Sequence, residues 1–317
     1  MNTFDNLYGR DTLKNQLNKI IEKKRINNAL IFEGPKDSGK KLIVSAFSNL
    51  LMCENPRGIE VCNVCHGCRG FKETFTIERE KSISVEDIRQ MIADVQLLPL
   101  SQNKKIYLIF DAEKMTEQAQ NAFLKTLEQP PEYAYFLLTV QNAEQLTDTI
   151  RSRSTIIYTG VNTKREVVNF LQSKYEDFDL NEIENAASYS NGAIGKGEKL
   201  LFDQGFKVSR QALIEHMKRG EKKALYKEIK EGGDLYLEIL QSFLRDAIIY
   251  KKSKKKGNLI NRDISDIIVR MAERNSMNTL LEMFLQVSQT ALYIKDNVPS
   301  NIAIGTMEIK LSEELNI

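Results

Sequence analysis

The chain has no surplus of either charge: 45 Lys and Arg against 43 Asp and Glu leave +2 over 317 residues. A molecule so close to neutral does not bind nucleic acid through an overall field, although a local basic face stays compatible with it. No apolar run approaches the roughly 18 residues that a bilayer-spanning helix needs, so no membrane contact is expected. The opening Met1-Asn2-Thr3-Phe4-Asp5 has no basic segment followed by an apolar core. No secretory signal is read there, and a cytoplasmic location is expected. Cysteine is missing everywhere except at Cys53, Cys62, Cys65 and Cys68, four positions within sixteen residues. In a reducing compartment that clustering argues for metal and against disulfides.

What is present is a globular composition, 42% hydrophobic and 28% charged, long enough for two or three domains. Ala29–Glu33 is a short apolar run that enters Gly34-Pro35-Lys36-Asp37-Ser38-Gly39-Lys40-Lys41, and Lys40–Met52 follows with apolar residues at helical spacing. Strand, glycine loop and helix form the context that a phosphate-binding loop requires. Ser84 and Thr116 precede periodic stretches and predict capped helix starts. Pro130-Pro131 stops the helix predicted over 117–128. Lys105–Phe110, Tyr135–Val140 and Ser154–Tyr158 read as further strands. Four strands alternating with helices predict an α/β layer with a mainly parallel sheet. After about Gly160 the strand signals stop. Residues 161–205 read as a small helical domain and 206–317 as long amphipathic helices. The lysine run 251–256 falls between two of them, as a solvated loop or a contact to DNA phosphate.

The spacing Cys53-x8-Cys62-x2-Cys65-x2-Cys68 supplies four thiolates in one compact loop. Zn²⁺ favours tetrahedral sulfur ligation, and a closed four-cysteine site leaves no position for reactive water, so a structural zinc is expected at 53–68. His66 could replace one thiolate, and an iron–sulfur cluster is the other metal option.

In the phosphate loop, backbone N–H groups around Gly34 and Gly39 and the ammonium of Lys40 are the candidate nucleotide contacts. Magnesium, however, needs a hydroxyl after that lysine and a carboxylate at the end of the second strand. The chain has Lys41 and Phe110 at those places, with Asp111 and Glu113 shifted in register. Two defects on one ion argue against hydrolysis. Two readings stay open: nucleotide held without turnover, or glycines that merely preserve a turn.

Asn121-Ala122-Phe123-Leu124-Lys125-Thr126-Leu127-Glu128-Gln129-Pro130-Pro131, the Ser152-Arg153-Ser154 triplet and the four-cysteine module together resemble the AAA+ subunits of the bacterial DNA polymerase III clamp loader. The triplet has Ser154 where the family motif has cysteine. The motifs cover roughly residues 10–160, and beyond them the likeness is one of layout. The resemblance implies an AAA+ domain over 1–160 with its zinc module, a helical lid over 161–205, and a helical collar for oligomerisation over 206–317. Within that family Lys41, Phe110, Gln141 in place of a sensing Thr and Gly195 in place of a sensing Arg favour the delta-prime branch over the gamma/tau motors.

Delta-prime likeness implies a non-hydrolysing stator in a five-membered ring with gamma/tau and delta. It reaches the sliding clamp and primer-template DNA through the assembled complex. It also implies that Arg153 is an arginine finger for a neighbour's ATP site, with Arg151 as a second, structural candidate. Glu128 and Lys125 are read as packing and interface. An active AAA+ motor with unusual magnesium ligation through Asp111 and Glu113 is the alternative. A zinc-containing DNA-binding protein unrelated to ATP is a third reading, which the near-neutral charge opposes.

Overall fold

The computed structural model describes residues 4, 7–22, 26–70, 73–100, 103–219, 234–295 and 298–312. Strands β1 (Ala29–Glu33), β2 (Thr74–Ile77), β3 (Lys105–Ile109), β4 (Ala134–Val140) and β5 (Thr155–Tyr158) form one sheet in the order β2-β3-β4-β1-β5, and every pair is parallel. The expected parallel α/β layer is therefore present, with five strands and not four. The missed strand, β2, has the sequence Thr-Phe-Thr-Ile and lies at an edge with one of its four residues buried. Its period-two alternation of β-branched and apolar residues was a readable strand signal, though only over four residues.

The central strands are near-continuous apolar runs because helices cover both faces. Successive side chains divide between two cores. Ala29, Ile31, Tyr107, Ile109, Phe136, Leu138 and Val140 pack with helices α4 (Val85–Val95) and α5 (Glu117–Glu128). Leu30, Phe32, Ile106, Leu108, Phe110 and Leu137 pack on the other face with α1 (Asp11–Glu22) and α2 (Lys40–Met52). The predicted helix starts are built as expected. Ser84 Oγ accepts from the Asp87 N–H while Asp87 Oδ2 accepts from the Ser84 N–H at 2.9 Å, a capping box. Thr116 Oγ1 accepts from the Ala119 N–H at 3.2 Å.

Two compact units divide the chain. The first holds residues 1–175 and 190–197, the second 176–189 and 198–317. The stretch expected to form a lid, 161–205, is thus shared between them. Helix α7 (Lys164–Lys174) lies in the first unit and α8 (Leu180–Tyr189) in the second. The rest of the second unit is helical among its described residues, as expected for 206–317. No described helix is long and apolar enough to cross a membrane.

The second unit is organised around a buried polar network. Asp246 is fully buried. Its carboxylate accepts from the Ile260 N–H at 3.1 Å, the Asn261 N–H at 2.7 Å, Asn261 Nδ2 at 3.0 Å and Arg245 Nη1 at 2.7 Å. Asn261 Oδ1 in turn accepts from the Tyr189 hydroxyl at 2.7 Å and Arg210 Nη2 at 3.2 Å, and Arg210 forks onto Asp263 at 2.8 and 2.9 Å. Burial pushes the Tyr189 phenol up to about 12, so it remains a donor at neutral pH. Asp246→Ala would leave buried donors unpaired at about 1–3 kcal/mol each. A loss of about 2–4 kcal/mol in the helical unit is expected by urea titration; a change under half of that would show the network to be peripheral.

Candidate functional site

Parallel pairing brings the ends of β1, β4 and β5 to one edge, where ligands of open α/β sheets bind. The phosphate-type loop leaves β1 there. The Gly34 N–H donates to Val140 O at 3.1 Å, and the Thr159 N–H donates to Glu33 O at 2.7 Å. Gly39 ends the loop at φ +85° as the N-cap of α2, with no side-chain cap. The two glycines and Lys40 thus stand in the strand–loop–helix setting that the sequence predicted.

Several of the loop's polar groups are nevertheless engaged with the protein itself, while Ser38 Oγ is buried without a hydrogen-bond partner among the described residues. Lys40 is buried, and its ammonium donates to Gly34 O at 2.7 Å and Pro35 O at 2.8 Å. Burial lowers its pKa, while Glu113, Asp111 and Asp37 oppose that shift. Arg10 donates to Ser38 O, to Thr159 O at 3.1 Å and to Asn162 Oδ1 at 3.1 Å. The Gly195 N–H donates to Asp37 O at 3.2 Å. A Cβ at residue 195 would stand 2.9 Å from that same oxygen, so this backbone approach admits no side chain. Arg10 was not identified from sequence; its partners lie 28 to 152 positions away.

The two altered magnesium positions meet each other. The Lys41 ammonium pairs with Glu78 and lies 5.5 Å from the centroid of the Phe110 ring. A fixed cation, held by a carboxylate and an aromatic face, stands where a motor would need hydroxyl and carboxylate oxygens. Neither Lys41 nor Phe110 supplies the oxygen donors that Mg²⁺ requires. Asp111, at φ +52°, receives Lys114 at 3.1 Å. Glu113 Oε1 accepts from the Gln141 N–H at 3.2 Å. Each carboxylate has one partner within the chain, and Glu113 Oε2 is buried without one among the described residues.

Arg153 is at the opposite end of the strands, where they begin. It stands two residues before β5, and Asn27, two residues before β1, donates through Nδ2 to Arg153 O at 3.4 Å. Five strand residues of about 3.3 Å each separate that end from the loop, roughly 16 Å. The guanidinium donates to Glu128 Oε1 at 2.8 Å and to Thr149 O at 3.1 Å. The two side chains are 35% and 50% exposed. Glu128, expected to serve packing, is therefore the ion-pair partner of Arg153. Arg151 pairs with Asp148, a local contact on helix α6 (Asp148–Ser152).

The four cysteines converge. Their Sγ atoms all lie within 4.8 Å of one another, and Cys62 Sγ is 3.8 Å from Cys68 Sγ. A tetrahedral metal with bonds of about 2.3 Å places its sulfurs about 3.8 Å apart. Backbone amides point at the sulfurs: the Cys62 N–H at Cys53 Sγ, 3.3 Å, and the Cys65 N–H at Cys62 Sγ, 3.4 Å. Amides of Val64 and Cys65 hold the Cys62 thiol down to about 6, whereas burial raises Cys68 to about 12 and also raises Cys53. Gly67 lets the turn close, since a Cβ there would sit 1.8 Å from Met52 O. The donor set can hold a metal ion, and His66 is not needed for it.

Two family models match the chain: "DNA polymerase III, delta subunit" over residues 9–160, and "DNA polymerase III, delta subunit, C terminal" over 206–308. A DNA polymerase III subunit delta' of Buchnera aphidicola is 26% identical over 96% of this chain and 94% of its own length. One from Yersinia pestis is 26% identical over 92% and 88%. The tau subunit of Escherichia coli is 33% identical, but over only 48% of this chain and 24% of that protein. The chain spans about a quarter of the length of such tau relatives. A solved gamma-subunit-related protein of Thermotoga maritima aligns over 95% of the chain and 99% of its own at 18% identity and a TM-score of 0.42. Matched by both family models and aligned end to end with delta' proteins, the chain belongs to the DNA polymerase III delta family, on its delta-prime branch.

Proposed function

We propose that this chain is the stator subunit of a bacterial clamp loader. It turns over no ATP itself, assembles with gamma/tau and delta subunits, and lends Arg153 to the ATP site of a neighbouring motor, so helping to place the sliding clamp on primed DNA. The observation that carries this reading is the separation of the two features on the sheet. Arg153 stands half-exposed at the strand ends opposite the chain's own loop, too far away to serve it. An arginine so placed is available only in trans. There it would stabilise charge developing on the γ-phosphate, worth about 10³–10⁵ in rate in the best-studied systems.

The chain's own loop acts as a structural turn in this reading. Lys40 is taken up by two carbonyls of the loop, and Lys41 against Phe110 replaces the magnesium oxygens. The motor alternative needs Asp111 and Glu113 as ligands. Asp111 is paired with Lys114 and Glu113 Oε1 accepts from the Gln141 N–H, which leaves Glu113 Oε2 as the one buried oxygen between them without a partner among the described residues. The four thiolates are proposed to hold a structural Zn²⁺, which stands in for a hydrophobic core in a loop too short to build one.

Purified alone and given primed DNA, the chain is expected to hydrolyse ATP no faster than a Lys40→Ala control. In the reconstituted complex, Arg153→Ala should lower turnover at the facing site by about 10³-fold while the ring still assembles on a sizing column. Turnover by the isolated chain that Lys40→Ala abolishes would make it a motor subunit. For the metal, elemental analysis should find one zinc per chain. Exchange for Co²⁺ should give the thiolate-to-metal absorption of a four-sulfur site, lost in Cys62→Ser or Cys68→Ser. A metal-free protein with an unchanged fold at 53–68 would refute the zinc assignment.

A further inference from the structure

We infer that Glu128 is a positioning residue for Arg153: its carboxylate fixes the orientation from which the guanidinium meets a neighbour's phosphate. This rests on the proposed action of Arg153 in trans. Glu128 is the last residue of α5. A carboxylate there faces the negative end of the helix dipole, where a cation is the favourable choice. Half-exposed ion pairs contribute little to stability, and Glu128 and Arg153 are 50% and 35% exposed. Neither local propensity nor stability therefore accounts for a glutamate at this position, whereas the geometry around Arg153 does.

That arginine is held by several contacts within its own subunit. The Arg153 N–H donates to Ile150 O at 3.2 Å, and Asn27 Nδ2 binds Arg153 O at 3.4 Å and Thr155 Oγ1 at 3.3 Å. Nη1 donates to Thr149 O at 3.1 Å and lies 3.4 Å from Ser152 Oγ, while Nη2 donates to Glu128 Oε1 at 2.8 Å. Among the described residues, Glu128 supplies the one contact to the guanidinium from outside the 149–152 turn, and so fixes its rotation. The Nε–H donates to no acceptor among the described residues, and the planar fork has five N–H groups in all. Donors thus remain for a phosphate oxygen. A long side chain fixed in advance loses less rotamer freedom when it engages. Like-charge opposition between the carboxylate and an incoming phosphate acts the other way. At half exposure it is screened by solvent and salt, so orientation outweighs it.

The experiment uses the reconstituted complex and measures ATP turnover with primed DNA. Glu128→Ala is expected to lower kcat at the facing site by about 10- to 100-fold, the scale of a misplaced catalytic group, with KM unchanged. Glu128→Gln keeps an acceptor oxygen and should restore most of the rate. In an Arg153→Ala background, Glu128→Ala should add nothing. Thermal melting and ring assembly of both Glu128 variants should match the parent. Arg153→Ala impaired but Glu128→Ala at or above the parental rate would overturn the positioning role and leave the finger intact. Arg153→Ala without effect would overturn the finger itself, and the inference with it.

Discussion

The parallel register of β1 between β4 and β5 fixes where every candidate group stands. Glu33 pairs with Val140 on one side and Tyr158 on the other, so the residues that follow, Gly34, Gln141 and Thr159, emerge on one line. Hydrogen bonds tie that line together: Gly34 N–H to Val140 O, and both the amide and the hydroxyl of Thr159 to Glu33 O. The same register aligns the opposite ends. Asn27 and Asn28 precede β1, Pro131 precedes β4 and Arg153 precedes β5, and the two asparagines bridge to the others. A parallel strand keeps its two ends apart by its own length. The phosphate-type loop at one end and Arg153 at the other therefore cannot share one site within the chain.

The cations at the two ends have opposite fates. Near the loop, Lys40 and Arg10 are buried, and burial lowers the pKa of each. Such groups are tolerated only where hydrogen bonds replace lost hydration, and carbonyls of the loop and of Thr159 supply them. Every carbonyl so used strengthens the closed arrangement of the loop, and a phosphate would have to compete for the same Lys40 ammonium. Arg153 keeps partial exposure and donors to spare. The two ends of the strands thus differ in how fully their cations are taken up by the chain itself.

Local features of the sequence were legible and distant pairings were not. Four strands fall within one residue of their predicted bounds because buried parallel strands are continuous apolar runs. The caps at Ser84 and Thr116 are three-residue contacts, and the cysteine cluster spans a single loop, so spacing alone located them. Helix α1 and edge strand β2 were overlooked. Beyond that, what escaped was reach across the chain. Glu128 meets Arg153 across 25 positions, Lys41 meets Glu78 across 37, and Arg10 meets Asn162 across 152. In each case the residue type was visible and its partner was set by sheet topology. The altered positions Lys41 and Phe110 were visible in the sequence as departures from a magnesium site, but only the fold showed that the two replacements pack on each other.

Helix α2 connects the remaining parts. Its N-terminus closes the glycine loop, and its C-cap is Cys53, the first residue of the cysteine cluster. Thirteen residues span about 20 Å, so the cluster and the loop terminate one rigid rod. The C-terminal carbonyls need partners. The Cys53 N–H takes Asn49 O and Leu50 O, and Lys104 Nζ donates to Leu51 O at 2.7 Å. Between the ends, Ile43, Val44, Phe47, Leu50 and Leu51 are buried against the sheet. That apolar face holds the rod in place over most of its length. A metal held by the four thiolates would fix the turn from Met52 to Gly70, and so act on the module's own shape. The distant loop is secured by Arg10, Lys40 and Gly195.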